Sequence, residues 1–143
     1  MPSLAPSAVA PISVLRILLA EDDDDHVLLT QRALRSLTCA VELEVVRDGA
    51  DVFAVLDRGP SPNILLVDQH MPRMTGQAVI RTLRADPRYA TLPIVLLSAS
   101  MAGDEARRAE AGGASAFVPK SASLRRFSAA LTRTIEALAG PLG

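Results

Sequence analysis

The chain has 143 residues, 49% of them hydrophobic, and a formal charge of −1 at pH 7. A length in this range supports one core, and the near-neutral charge excludes a general attraction to nucleic acid or to an anionic membrane. The single cysteine, Cys39, excludes an internal disulfide and suits packing in a reducing compartment.

The opening MPSLAPSAVAPIS lacks a basic stretch and carries Pro2, Pro6 and Pro11, so residues 1–13 read as a flexible tail rather than a signal peptide. The first strand is read at Arg16–Ala20 and runs directly into the acidic stretch EDDDD, Glu21–Asp25. Val27, Thr30, Leu34 and Leu37 share one face of a first helix. VELEVVR, Val41–Arg47, alternates at its start, as an edge strand does. A short amphipathic helix at Ala50–Asp57 precedes the third strand, Ile64–Val67, which closes on Asp68. The turn MPRMTG leads to a helix at Gln77–Arg84, and the fourth strand, Pro93–Leu97, closes on Ser98. A fourth helix, Met101–Gly112, offers mainly Ala102, Ala106 and Ala109 to the core; it buries little and is expected to be the most mobile helix. The fifth strand, Ala116–Val118, is followed by Pro119 and Lys120. In the last helix Leu124, Phe127, Leu131, Ile135 and Leu138 form one stripe.

Five strands separated by five helices predict right-handed crossovers and a doubly wound parallel α/β sheet in one domain, residues 14–140. No apolar run approaches the ~20 residues that cross a bilayer, so no membrane is expected and the protein is placed in the cytoplasm. The chain ends at AGPLG, and no output domain is expected.

In open α/β sheets the functional site lies beyond the carboxyl ends of the strands. That edge collects Glu21 and Asp22, Asp68, Ser98 and Lys120. Carboxylates brought together from the first and third strands repel unless a cation or a shared proton compensates, and hard oxygen donors suit Mg²⁺. Glu21 and Asp22 continue the strand and are read as the metal site. Asp24 and Asp25 read as a solvated helix start, and His26 as helix surface. Lys120 is the one lysine in a chain with fourteen arginines, so its retention at a strand end points to a need for a compact ammonium.

These positions carry a resemblance. From about Arg16 to Leu138 the chain resembles the receiver domain of two-component response regulators, with an acidic pair after the first strand, Asp68 before MPRMTG, SAS after the fourth strand and VPK after the fifth. Ser98 follows Asp68 by thirty positions and Lys120 follows Ser98 by twenty-two, spacings that fit the family. The resemblance implies a flavodoxin-like sheet in strand order 2-1-3-4-5 and a phosphoacceptor signalling switch rather than a turnover enzyme. It implies that Asp68 accepts a phosphoryl group from a histidine kinase. Asp22 and Asp68 become direct Mg²⁺ ligands, Glu21 acts largely through water, and the main-chain carbonyl of His70 completes the protein ligands. Ser98 takes the hydroxyl position, Lys120 the ion-pairing lysine and Phe117 the aromatic switch. The opening strand, the PNILLVDQHMPRMTG segment and the long last helix look most like single-domain regulators paired with bacterial phytochrome histidine kinases. A homodimer through the fourth helix, fifth strand and fifth helix is expected, with Arg107, Arg108, Glu110, Arg125, Arg126 and Arg133 available for pairing.

Two features depart from the commonest family pattern. Pro119 precedes Lys120 and Ser121 follows it, so the bond after the lysine is expected to be trans, or else visibly strained. His70, two positions after Asp68, is uncommon, and a side-chain role for it stays open. A flavodoxin-type cofactor binder is disfavoured because EDDDD repels a phosphate at the first loop. A haloacid-dehalogenase-type phosphatase lacks its second aspartate, His70 standing there. The surviving alternative is a receiver-like interaction module that never carries phosphate.

Overall fold

The computed structural model describes residues 11–99, 103–120 and 123–142. The elements follow in the order β1 (Val14–Ala20), α1 (Asp24–Leu34), β2 (Ala40–Val46), α2 (Gly49–Arg58), β3 (Ile64–Asp68), α3 (Gly76–Arg84), β4 (Ile94–Ser98), α4 (Gly103–Ala111), β5 (Ala116–Pro119) and α5 (Leu124–Ala139). A short 3₁₀ turn at Pro87–Tyr89 precedes β4. The strands form one parallel sheet in the order β2-β1-β3-β4-β5, the flavodoxin-like arrangement expected above.

β3 and β4 are buried along their whole length because helices cover both faces of the sheet, which is why they read as unbroken apolar runs. Alternation survives in where the side chains go. Leu15, Ile17 and Leu19 of β1 join Ile64 and Leu66 of β3 against Val27 and Leu34 of α1 and Phe127, Leu131 and Ile135 of α5. Their neighbours Leu18, Ala20, Leu65 and Val67 face Val52 and Leu56 of α2 and Val79, Ile80 and Leu83 of α3. β2 is an edge strand, with exposed and half-buried residues alternating until Val46. Cys39 is a buried free thiol.

Several expectations shift at element ends. β3 and β4 extend through Asp68 and Ser98, so both residues are the last of a strand rather than the first of a loop. β2 stops at Val46; Arg47 leaves the sheet and pairs with Asp24. α1 closes at Leu34, yet Leu37 beyond it is still buried. Ile12, assigned to the loose tail, is half-buried: it forms a parallel bridge with Leu142, its N–H reaching the Pro141 carbonyl at 2.9 Å. The tail reading for residues 1–10 falls outside the described residues, as do Ala102 and the peptide bond from Lys120 to Ser121.

α4 buries Ala109, while Ala106 is only half-buried. Beside the alanines expected there, Glu105 also turns inward at 8% exposure, and its Oε1 has no hydrogen-bond partner among the described residues. The far end of this helix is tied down by Arg84 of α3. Its guanidinium donates to the carbonyls of Gly113 (2.8 Å) and Tyr89 (2.7 Å) and to Ser115 Oγ (3.3 Å).

Leu124 departs from the stripe of α5. As the first helical residue after the N-cap Ser123 it is 40% exposed, whereas Phe127, one turn on, is 1% exposed. Phe127→Ala is therefore expected to lower the unfolding free energy by about 3–5 kcal/mol, and Leu124→Ala by no more than about 0.5 kcal/mol. Urea denaturation of the two variants checks this; equal losses would contradict the packing.

Candidate functional site at the carboxyl edge of the sheet

Strand register brings the chemistry together. Ala20 of β1 lies beside Val67 of β3, so Glu21 emerges next to Asp68. Asp68 pairs with Leu97 and Ser98 pairs with Pro119, which places Ser98 beside the acid and Lys120 one step past the end of β5. Because β1 and β3 are neighbours while the chain runs outward from them in opposite directions, the crevice opens above this pair.

The loop after β3 is shaped to hold Asp68 still. Thr75 caps α3, its hydroxyl accepting from Ala78 N–H at 3.1 Å. Gly76 follows because nothing larger fits: a Cβ there would lie 2.5 Å from the Asp68 carbonyl oxygen and 2.6 Å from Leu96 Cδ1. α3 thus starts in contact with the backbone of the acid. Earlier in the same turn Arg73 has φ 67°, an uncommon conformation for a residue other than glycine. Its Nε reaches Asp48 Oδ2 at 2.5 Å, and the other Asp48 oxygen caps α2 through Ala50 N–H at 2.8 Å. These two contacts hold the Asp48 carboxyl below the ordinary aspartate range, the cap contributing more than the arginine.

Lys120 is the hub. Its ammonium donates to Glu21 Oε1 at 2.5 Å and to Asp68 Oδ1 at 2.7 Å, and all three side chains are buried. The backbone N–H of Lys120 is itself anchored on the Ser98 carbonyl at 2.7 Å. The second Asp68 oxygen accepts from His70 N–H at 3.2 Å. Glu21 is 0% exposed, and burial pushes its carboxyl above the ordinary glutamate value; the Lys120 hydrogen bond and charge pull it down, and the Asp68 charge pushes it up again.

Glu21, Asp22 and Asp68 each bring one carboxylate oxygen within 4.8 Å of the others, Glu21 and Asp68 from the interior and Asp22 from solvent. The donor set is all hard oxygen, and metal–oxygen bonds of about 2.1 Å bridge separations of this order, so the residues fit a small divalent cation. Two buried carboxylates sharing one ammonium also leave negative charge to be neutralised, which a cation does.

Each residue singled out in the sequence has a definite place. Glu21, Asp22, Asp68 and Lys120 form the cluster, and Ser98 is fully buried at the adjoining strand end. Phe117 is half-buried on β5 and packs against the face of the sheet that carries α2 and α3. The His70 side chain is exposed. In the acidic run the cap is Asp23, whose oxygen accepts from Asp25 N–H (2.8 Å) and His26 N–H (3.3 Å). His26 does not behave as helix surface. Its Nδ1 lies 2.9 Å from Lys120 Nζ, which brings it into the cluster. A signal was present in the spacing: His26 is the third residue after the cap, and helical side chains lean toward the N-terminus, here toward the end of β1.

With this geometry established, comparison with known proteins gives a consistent answer. Residues 17–132 match the response regulator receiver domain. The probable methanogenesis regulatory protein FilR2 of Methanothrix harundinacea is 30% identical over 125 residues, covering 84% of this chain and 78% of that protein. The response regulator Rcp1 of Synechocystis is 32% identical over 95 residues, 62% of this chain and 65% of Rcp1. The crystal structure of Mn²⁺-bound Rcp1 superposes with a TM-score of 0.75 at 27% identity, covering 86% of this chain and 92% of that one. The phosphorylated cyanobacterial phytochrome response regulator RcpA gives a TM-score of 0.78 at 27% identity, with coverages of 87% and 93%. A match across most of the length decides the family: the chain belongs to the response regulator receiver domains.

Proposed function

We propose that this protein is a cytoplasmic response regulator whose receiver domain accepts a phosphoryl group on Asp68 from a histidine kinase. The observation that carries this reading is the buried Lys120 ammonium, held 2.7 Å from Asp68 and 2.5 Å from Glu21 at the switch point of a parallel sheet. Among the described residues no helix is long and apolar enough to cross a membrane.

A carboxylate oxygen of Asp68 attacks the phosphorus of a phosphohistidine; the P–O bond forms as the P–N bond breaks, and the electron pair leaves with the imidazole. Lys120 stays opposite the developing charge and donates to the phosphoryl oxygens, a role its compact head and flexible stem allow. Asp22 and Asp68, Glu21 through water, and the His70 carbonyl would hold Mg²⁺, which would supply further neutralisation of that charge. His70 N–H already donates to Asp68 and keeps the carboxylate oriented. Water later hydrolyses the acyl phosphate. Ser98, at the neighbouring strand end, contacts the added oxygens, and Phe117 responds on β5, coupling the site to α4 and α5. RcpA is described as a phytochrome response regulator, and we extend that pairing to this chain: its kinase is a bacteriophytochrome. A receiver-like module that never carries phosphate has no observation in its favour, because the acceptor, the lysine and the acidic cluster are all assembled.

Output is assigned to the α4-β5-α5 face, used by a symmetric homodimer. Arg107 is engaged with Asp104 of its own helix, and Arg125 and Arg133 line a cleft with Arg32 of α1 and Ser36 just beyond that helix. The exposed charges left for this face are Arg108, Glu110 and Arg126.

Three outcomes are expected. Incubation with a panel of purified phosphorylated histidine kinases, followed by intact-mass spectrometry, should show one phosphate on the wild type, fastest from a bacteriophytochrome, and none on Asp68→Asn. Full incorporation into that variant would remove Asp68 as the acceptor. Lys120→Arg should retain Mg²⁺ binding but lose most of the phosphorylation-induced amide shifts in β5 and α5, because a planar guanidinium is too large for the buried position; shifts like those of the wild type would contradict it. Arg126→Glu should weaken the dimer about tenfold by sedimentation while Asp68 is still phosphorylated, and a monomer in both phosphorylation states would exclude this interface.

A further inference from the structure

An ammonium has three N–H donors and no acceptor. Lys120 Nζ has three acceptors, Glu21 Oε1 at 2.5 Å, Asp68 Oδ1 at 2.7 Å and His26 Nδ1 at 2.9 Å, so every proton of the one lysine in the chain is taken. Since the lysine can only donate, His26 Nδ1 must accept. The ring is then neutral at that contact and carries its proton on Nε2. This also settles the nearby approach of Nδ1 to Glu21 Oε2 at 3.7 Å: an atom that is accepting has no proton to give, and the distance is beyond a hydrogen bond.

Two of the three anchors differ in kind from the third. Asp68 is the group that changes during phosphorylation, whereas Glu21 and His26 are attached to elements that need not move. Glu21 continues β1. His26 stands in the first turn of α1, its backbone N–H fixed on the Asp23 cap at 3.3 Å. We propose that His26 is a positioning residue that, together with Glu21, holds the Lys120 ammonium in place when Asp68 becomes an acyl phosphate, leaving one N–H aimed at the phosphoryl group. This rests on Asp68 being the acceptor. With Glu21 as sole anchor the ammonium swings about one contact, and its aim at the phosphoryl oxygens is lost in the transition states for both formation and hydrolysis. Both rates fall together, because the same charge is left unsupported.

The test exploits the single lysine. Protein labelled with ¹⁵N-lysine has one side-chain ammonium resonance, visible when its protons are held against exchange with water. The wild type should show it; His26→Leu, which fills similar space without an acceptor, should broaden it beyond detection. His26→Asn, whose Oδ1 sits where Nδ1 did, should restore it. Phosphorylation by acetyl phosphate and the decay of the acyl phosphate should each slow about tenfold in His26→Leu and recover in His26→Asn, with thermal unfolding alike in all three. A sharp ammonium signal in His26→Leu, or an asparagine variant no better than leucine, would overturn the proposal. A wild type that takes no phosphate would sink the acceptor reading instead, and the ammonium signal would still decide whether His26 anchors the lysine.

Discussion

One buried ammonium holds the functional edge of this protein together. Lys120 reaches from the end of β5 across β4 to the carboxylates that follow β1 and end β3, a span of two to three strand spacings at about 4.8 Å each. Glu21 and Asp68 are both inside the protein, and each pays a desolvation cost that an apolar pair would not incur. Remove the cation and two like charges remain side by side in a poorly hydrated pocket. The cluster therefore costs stability relative to an apolar replacement, a cost that fits the phosphoacceptor role proposed for it. It presents a carboxylate whose two oxygens are oriented by separate donors and whose charge is only partly balanced.

The sheet makes that arrangement possible through register. A slip of one residue along β3 would turn Asp68 to the opposite face and carry Leu65 and Val67 with it into the wrong layer. Both faces of β3 are packed, so the hydrophobic core enforces the position of the acid with the energy of every side chain on the strand. The turn beyond adds local constraints of a different sort: the absent Cβ at Gly76, the Thr75 cap, and the tight turn at Arg73, whose side chain reaches Asp48. Stability and function share residues here, but the core supplies the rigidity and the loop supplies the aim.

Much of this was legible in the chain. Unbroken apolar runs marked the interior strands, the alternation of VELEVV marked the edge, and the acidic pair, Asp68, Ser98 and Lys120 all fell where strands end. What escaped the sequence was set by geometry beyond a single element. Leu124 fits the helical stripe by period but stands at the first position of the helix, on the rim of a cleft beside Arg32 and Ser36, and stays partly exposed. Glu105 reads as polar surface and is turned inward on the same helix as the buried Ala109. His26 looks like one more hydrophilic residue of a helix start; only the tilt of the first turn of α1, and a lysine arriving from ninety-four positions away, bring it into the cluster. Arg73 carried no sequence sign of its backbone conformation, which sits in a tight turn closed by Met74 N–H on the Pro72 carbonyl.

The Arg84 guanidinium described in the fold has a mechanical meaning. Three of its hydrogen bonds grip the segment after α4, at Gly113 and Ser115, and a carbonyl before β4, while Gly113 itself, at φ 110°, would bring any added Cβ within 2.6 Å of the Arg84 side chain. This clamps the carboxyl end of α4 to α3 and to the body of the sheet. A tether beyond one end of a helix leaves the other end the freer to move, so a displacement of α4 would be smallest beside Gly113 and largest at its amino end.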